Sequence, residues 1–186
     1  GKFCAVTDTS TSENYTVSRH DALTATAGWT FTGWSGDCTG TGACSIANIQ
    51  ANKSVTATFT QNTYTVTGTA SPANGGTVSC TPASVNYNGT SSCTQTATAG
   101  WTFTGWSGDC TGTGACSIAN IQSNKSVTAT FTQNTYTVTA TANPTTGGTV
   151  TCTATTVNSG DGSTCSATAN AGWTFVGWSG DTQCAG

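Results

Sequence analysis

Apolar and polar residues alternate along much of this chain with a period of two, which is typical of β-strands that have one buried face. The alternation is clearest in residues 64–70, where Tyr64, Val66 and Ala70 are separated by threonines. It recurs in residues 97–103 and 127–131, whose apolar members fall on one side of each predicted strand. Threonine suits such strands because β-branched side chains favour the pleated backbone. The pattern predicts an all-β fold of antiparallel strands with no convincing helix.

Two glycine-containing segments interrupt the alternation. Asn74-Gly75-Gly76 predicts a turn between two strands, since Asn and Gly tolerate a positive φ. Gly105 shifts the phase by one residue, which places Trp106 on the face opposite Phe103 unless a β-bulge intervenes.

The chain repeats itself with a period of 72 residues. The sequence GWTFTGWSGDCTGTGACSIANIQ begins at Gly28 and again at Gly100, and a shorter copy, GWTFVGWSGD, begins at Gly172. The alternation also slips at Gln133-Asn134, which places a boundary between repeats there. We therefore expect a tandem array of three small β domains: residues 1–63 without the opening strand, 64–135 complete, and 136–186 without the closing strands.

The cysteines recur with the same period as the repeats. Two spacings are each found twice, C-x5-C and C-x12-C, and domains this small need covalent support because their apolar core is limited. Other connectivities remain open from sequence alone, but the recurrence favours local pairing, and the spacing lacks the short CxxC clusters of a metal site. The predicted disulfides are Cys38–Cys44, Cys80–Cys93, Cys110–Cys116 and Cys152–Cys165, which leaves Cys4 and Cys184 over.

Composition limits the cellular compartments and the function classes that fit this chain. Only 6% of residues are charged, the net charge is −3, and four scattered cations do not form the basic surface that nucleic-acid binding requires. No apolar run approaches the ~20 residues of a membrane-spanning helix. One histidine, His20, and seven carboxylates offer little for acid–base catalysis, so we expect no enzymatic activity and no cofactor. Disulfides indicate an oxidising compartment, and a chain that begins at Gly1 favours an export signal that has been removed.

The segment GWTFTGWSGDCTGTGAC, followed by NKSVTATF, resembles the divergent internalin-type B-repeats of bacterial cell-surface and secreted proteins. The resemblance extends over nearly the whole chain when the partial copies are included. It implies a small, β-rich, β-grasp-like extracellular module that is used in tandem in adhesins and surface stalks, without catalysis. It also implies that a set of signature residues has a structural role, namely Gly105, Trp106, Gly108, Asp109 and Cys110.

Three groups of side chains have alternative interpretations. The tryptophans are expected in the core, with Trp106 and its equivalents Trp34 and Trp178 the more exposed, and the alternative is a set of sugar-stacking platforms. The aspartates that follow glycine are expected to bind backbone N–H groups in a turn, and the alternative is a calcium site; these are Asp37, Asp109 and Asp181. The candidate N-glycosylation sequons begin at Asn14, Asn52, Asn88 and Asn124.

The two ends of the chain suggest how it functions. The chain is 30 residues shorter than three full repeats, and the missing stretch corresponds to residues 115–144, so each end is expected to expose unpaired strand edges and apolar surface. The C-terminal CAG followed by the N-terminal GKFC of another copy restores the C-x5-C spacing, which predicts an intersubunit disulfide between Cys184 and Cys4. The first hypothesis is a structural subunit of an extracellular bacterial fibre that assembles with itself head to tail. The alternatives are a tandem-repeat adhesin that binds glycans or a host surface, and a passive stalk fragment.

Overall fold

The computed structural model describes residues 25–180, together with two short strands, β1 (Ala5–Thr7) and β2 (Asn14–Thr16). Nearly all of its regular structure is β-strand, as the alternation predicts. None of the described residues forms a helix long and apolar enough to cross a lipid bilayer. The backbone divides into two compact units. One contains the chain up to Thr69 with Val78–Gln95 and Gly105–Ala129, and the other contains Ala70–Thr77, Thr96–Thr104 and the chain from Thr130 onward.

The second repeat has the fullest set of strands. They are β5 (Thr63–Ser71), β6 (Gly76–Thr81), β7 (Ser84–Asn86), β8 (Gly89–Ala97), β9 (Trp101–Gly108), β10 (Cys116–Ile121) and β11 (Lys125–Gln133). Four of them form one sheet in the order β7-β5-β11-β9, and the other three form a second sheet in the order β10-β8-β6. This repeat therefore serves as the reference for the other two.

Not every neighbouring pair of strands is antiparallel, so the expectation of a purely antiparallel fold was wrong. The backbone N–H of Thr65 donates to the Asn124 side-chain oxygen at 3.0 Å, and the Thr69 and Thr128 hydroxyls lie 3.0 Å apart. Both pairs have the same separation of 59 residues along the chain, so β5 and β11 run in the same direction. A parallel pair needs a long crossover connection, and here β6 to β10 supply it.

The first and third repeats have fewer strands among the described residues. The first has β3 (Trp29–Gly36) paired antiparallel with β4 (Val55–Gln61), and β1 pairs separately with β2. The third has β12 (Thr135–Thr137) paired with β14 (Thr156–Asn158), and β13 (Gly148–Cys152) paired with β15 (Cys165–Ala169). Residues 173–179, which correspond to β9, form no strand.

The core lies mainly within the second repeat. Val127, Ala129 and Phe131 line the inner face of β11 and are fully buried, as the alternation predicts. Ile118 and Ile121 of β10 are buried as well, so the SIANIQ segment is a half-buried strand. By contrast, no residue between 136 and 180 is fully buried.

Positions 75 and 76 need glycine because neighbouring atoms leave no room for a Cβ. Neither Gly75 nor Gly76 has the left-handed backbone that the sequence predicts for the turn. Gly75 ends a short 3-10 turn at Ala73–Gly75, and Gly76 has an extended backbone with φ 171°. A Cβ on Gly75 would lie 2.7 Å from the Cβ of Phe131, and one on Gly76 would lie 2.6 Å from the Thr96 carbonyl oxygen. The two glycines thus leave room for the Phe131 ring, which is why a residue with a side chain is excluded there.

A β-bulge occurs where glycine breaks the alternation. In the first repeat, Phe31 pairs with Phe59 and Gly33 with Thr58, so the register shifts by one residue between them. Trp34 then pairs with Ala57 and returns to the same face as Phe31, and the two rings meet edge to face at 5.2 Å. Gly33 has φ 154° and Gly105, its equivalent in the second repeat, has φ 155°. The bulge therefore turns the tryptophan side chain back toward the core.

Candidate functional site: the Gly-Asp corner, the joints and the open edges

The GWSGD sequence forms a corner at the end of β3 and again at the end of β9. In the second repeat the Trp106 backbone N–H donates to the Gly112 carbonyl at 2.7 Å, which folds the following loop back on the strand. The first repeat has the same bond from Trp34 to the Gly40 carbonyl at 2.8 Å. Gly108 has φ 89° and Gly36 has φ 90°, a region that favours glycine. We call this feature the Gly-Asp corner.

The aspartate of the corner joins two strands. One Asp109 carboxylate oxygen accepts the Ser126 backbone N–H at 2.7 Å, and the other accepts the Lys125 ammonium group at 2.9 Å. Asp37 makes the equivalent contacts with Ser54 at 2.7 Å and with Lys53 at 3.1 Å. The backbone hydrogen bond and then the lysine hold the pKa of Asp109 and of Asp37 below the usual value for an aspartate. The carboxylate thus ties the start of β11, or of β4, to the preceding corner.

These contacts match a structural role for the corner better than a calcium site. Calcium takes six to eight oxygen ligands, while each aspartate is already engaged by a backbone N–H and a lysine. Within residues 25–180, no three side chains of His, Cys, Asp or Glu come together as metal ligands. Asp181, the third aspartate of the motif, lies outside the described residues.

The tryptophan of the Gly-Asp corner is buried. The expectation that it would be more exposed than the other tryptophan of its repeat was therefore wrong. Trp106 is 7% exposed, and its indole N–H donates to the Gly114 carbonyl at 3.1 Å. The Trp34 indole N–H donates to the Gly42 carbonyl at 2.9 Å. The physical reason is the bulge, which turns the ring inward where the phase of the sequence alone would turn it outward. Trp178 of the third repeat is half-buried and packs edge to face on Phe175 at 5.3 Å.

The structure has disulfides at the four pairs that the spacing predicts. Cys38–Cys44 and Cys110–Cys116 close the corner loops, with Cα separations of 5.7 and 5.6 Å. Cys80–Cys93 joins β6 to β8, and Cys152–Cys165 joins β13 to β15. Cys116 also lies directly opposite Cys93 in the β10-β8-β6 sheet, so the two bridges of the second repeat are neighbours. Cys4 and Cys184, the predicted intersubunit pair, lie outside the described residues.

The candidate glycosylation sites lie at strand ends and turns. Asn52, Asn88 and Asn124 are exposed. The Asn124 side-chain oxygen accepts the Thr65 backbone N–H, and the Asn88 oxygen accepts the Gln122 amide at 2.9 Å. Asn14 lies in β2, for which the structure describes only the backbone. Glycosylation of these residues stays a prediction.

A joint with the same three hydrogen bonds connects each repeat to the next. Between the first two repeats, the Asn62 backbone N–H donates to the Gly28 carbonyl at 2.8 Å, and the Asn62 carbonyl accepts the Tyr87 backbone N–H at 2.9 Å. The Thr30 hydroxyl donates to the Asn62 side chain at 2.5 Å. The second joint repeats these contacts 72 residues later, at 2.8, 2.7 and 2.6 Å; its members are Gly100, Thr102, Asn134 and Ser159. The sequence predicts where the repeats meet, but it does not predict the hydrogen bonds that Asn62 and Asn134 make there.

The outer repeats expose apolar side chains that the second repeat covers. Ile49 of the first repeat is 43% exposed, while its equivalent Ile121 is fully buried. In the third repeat, Tyr136 is 56% exposed and Trp173 and Phe175 are each 48% exposed. We call these surfaces the open edges of the first and third repeats.

A family model described as the divergent InlB B-repeat domain matches residues 4–63, 64–135 and 136–185. Neither the curated proteins nor the solved structures give a match. The three matched segments follow the 72-residue period, and together they cover nearly the whole chain. With the four disulfides, this match indicates a surface repeat protein of an extracellular environment.

Proposed function

Because this chain belongs to the divergent InlB B-repeat family, we propose that it is a structural subunit of an extracellular bacterial fibre or surface filament. The subunits join head to tail through strand complementation, and a disulfide between Cys184 of one subunit and Cys4 of the next strengthens the link. The subunit has no enzymatic activity and needs no cofactor. Its partner is another copy of itself.

The observation that carries this proposal is the unequal burial of equivalent residues in the three repeats. A side chain such as Ile121, fully buried in the second repeat, has a 43% exposed counterpart in Ile49. Large exposed apolar side chains favour association, because removing them from water lowers the free energy by roughly 25 cal/mol for each Å² buried. Exposed strand edges add unpaired backbone groups that accept a further strand.

The two joints between successive repeats are alike. Asn62 and Asn134 make equivalent hydrogen bonds to the repeat on either side, so one local geometry serves both connections. A contact that uses two different surfaces and does not close on itself produces a filament.

The alternative is a tandem-repeat adhesin whose tryptophans bind glycans or a host surface. Trp106 is buried, which removes its ring as a stacking platform, and a carbonyl accepts the indole N–H of the half-buried Trp34. Trp173 is the large half-exposed ring that fits the alternative best, yet it belongs to the open edge of the third repeat.

Electron microscopy of the purified chain tests the proposal. We expect long filaments of uniform width, and gel electrophoresis without thiol should give a ladder that collapses to 18.6 kDa on reduction. Monodisperse particles with alkylatable Cys4 and Cys184 would contradict a fibre. Glycan binding by such particles would favour the adhesin.

A further inference from the structure

Three cysteines of the second repeat lie in one row across neighbouring strands. The sheet has the order β10-β8-β6, and Cys93 of β8 lies directly opposite Cys116 of β10. On the other side of β8, Cys93 is bonded to Cys80 of β6. Residues directly opposite each other on antiparallel strands share one face of the sheet, so the three side chains lie on the same face. Cys110 adds a fourth sulfur atom to the row through its bond to Cys116.

The middle cysteine of this row has a possible disulfide partner on each side. Directly opposite residues of antiparallel strands have Cα atoms about 4.5–5.5 Å apart, within the roughly 4.4–6.8 Å that is usual for a disulfide. The third repeat has a bridge between residues paired in this way, Cys152 and Cys165. A bond between Cys93 and Cys116 therefore requires side-chain rotation but no change of strand register.

Burial determines which sulfur atom a thiol from solvent reaches first. Cys93 and Cys116 are 4% and 3% exposed, whereas Cys80 is half-buried and lies on β6, an edge strand of this sheet. An external thiolate therefore attacks the Cys80 sulfur, and Cys93 leaves as a thiolate. Burial disfavours the charged form of a thiol, so the released Cys93 is a reactive nucleophile directly beside Cys116.

We propose that the second repeat contains a thiol–disulfide exchange site, which takes a small extracellular thiol at Cys80 and produces a protein thiol at Cys110. In the first step the external thiolate bonds to the Cys80 sulfur, and the Cys80–Cys93 bond breaks. In the second step the Cys93 thiolate bonds to the Cys116 sulfur, and the Cys110–Cys116 bond breaks. Cys110 takes up the proton that the incoming thiol released. One thiol is consumed and one is formed, so there is no net oxidation or reduction.

The exchange opens the loop that follows the Gly-Asp corner. Cys110–Cys116 closes this loop, and residues 111–115 within it are exposed. Cys110 itself is only 9% exposed while the bridge is intact. Once the bridge has moved to Cys93, the Cys110 thiol belongs to a loop without a covalent closure and is accessible from solvent. It then offers a position where another molecule that carries a thiol can attach through a disulfide.

The first repeat provides a control within the same chain. Its bridge Cys38–Cys44 closes the equivalent corner loop, and both cysteines are half-buried. Asp8 and Asp21 stand at the positions where the second repeat has the cysteines of its β6–β8 bridge. Direct attack by an external thiol would therefore open the more exposed bridge of the first repeat first. The exchange opens the more buried corner bridge of the second repeat first.

Peptide mapping after treatment with a limiting amount of reduced glutathione tests the proposal. The full chain is used with Cys4→Ser and Cys184→Ser, so that the terminal cysteines supply no thiol of their own. The reaction is stopped with acid, free thiols are alkylated, and the chain is digested without reduction and analysed by mass spectrometry.

Three products are expected from the second repeat. They are glutathione on Cys80, a peptide pair joined through Cys93 and Cys116, and alkylated Cys110. Because the Cys93 thiolate is held beside its target, alkylation of Cys110 should exceed that of Cys38 by roughly tenfold or more. Glutathione on Cys80 with the Cys110–Cys116 bridge intact would overturn the proposal, and so would equal alkylation of Cys110 and Cys38.

A second variant tests the exchange step without any added thiol. Cys80→Ser in the same background leaves Cys93 as a thiol beside Cys116, and we expect a fraction of the chains to contain the Cys93–Cys116 bond. Cys152→Ser is the matched control, because it removes a bridge with the same sequence separation of 13 residues. It leaves Cys165 on β15, which pairs with β13 alone among the described strands.

The control also separates exchange from general rearrangement of disulfides. In the Cys152→Ser chain we expect Cys165 to be alkylated and the other three bridges to be intact. A Cys80→Ser chain in which Cys93 is alkylated and bonded to no other cysteine would overturn the proposal. Equal rearrangement in both variants would overturn it as well. No step requires a second copy of the chain, so these results do not depend on whether filaments form.

Discussion

Replacing Gly108 by alanine should destabilise the Gly-Asp corner more than any other glycine-to-alanine change in the corner loop. A Cβ on Gly108 would fall on the Ser126 carbonyl oxygen, within 3.0 Å. That oxygen also accepts the Asp109 backbone N–H at 3.0 Å, so the clash occurs at the hydrogen bond that joins the corner to β11.

Two costs add at this position. A residue with a side chain at φ 89° costs about 1–2 kcal/mol of conformational energy. Crowding a backbone atom that has no room to move adds about 1–3 kcal/mol. Gly112, in the same loop, provides the control: it has φ 80°, but its Cβ would meet no atom within 4 Å, so only the first cost applies.

Hydrogen exchange followed by mass spectrometry is the suitable assay, because a chain of several repeats need not unfold in one step. In the full chain, Gly108→Ala should speed exchange in the β9 and β11 peptides by about 5- to 150-fold relative to Gly112→Ala, since each 1.4 kcal/mol is tenfold. Peptides of the first repeat, which retain Gly36, should exchange at the wild-type rate in both variants.

Equal exchange in the two variants would refute the steric argument. It would mean that the corner opens readily to admit a methyl group, and that the signature glycine is required for its φ alone.

Three other predictions concern the same structure. Asp109→Ala should lower the urea midpoint at pH 7, and the difference from wild type should shrink as the pH falls below about 4, because the lowered pKa stabilises the fold only while the carboxylate is ionised; a difference that persists at pH 2 would contradict this. Removing the Cys80–Cys93 bridge with serines should cost about 3 kcal/mol, and removing Cys110–Cys116 about 2 kcal/mol, because the longer loop loses more entropy on closure; the reverse order in urea unfolding would contradict the loop argument. A chelator should leave the melting temperature unchanged, and a drop of several degrees would revive calcium binding at Asp37 and Asp109.

The strand content and the covalent pairing were predictable from local features of the sequence. Alternation with a period of two identifies the buried faces of β5 and β11, since side chains on a strand point to opposite sides in turn. The disulfide pairs follow from spacings that recur with the repeat. A short loop also brings its ends together at a low entropic cost, which agrees with local pairing.

The direction of β11 and the burial of Trp106 were not predictable in the same way. β11 lies beside β5 because a crossover of several strands returns the chain in the same direction, and no local pattern records that path. Trp106 faces the core because the bulge at Gly105 restores the phase, and a glycine in a strand marks either a break or a bulge. The reason for glycine at Gly75 and Gly76 was not predictable either, because the Phe131 ring that excludes a side chain there is distant in sequence.

The central claim is that the chain associates with itself through its outer repeats, and light scattering measures this most directly. The weight-average mass of the purified Cys4→Ser/Cys184→Ser chain is determined from micromolar to near-millimolar concentration, so that association is not forced by the terminal cysteines. We expect the mass to rise with concentration through multiples of 18.6 kDa. A mass of 18.6 kDa at every concentration would contradict the claim.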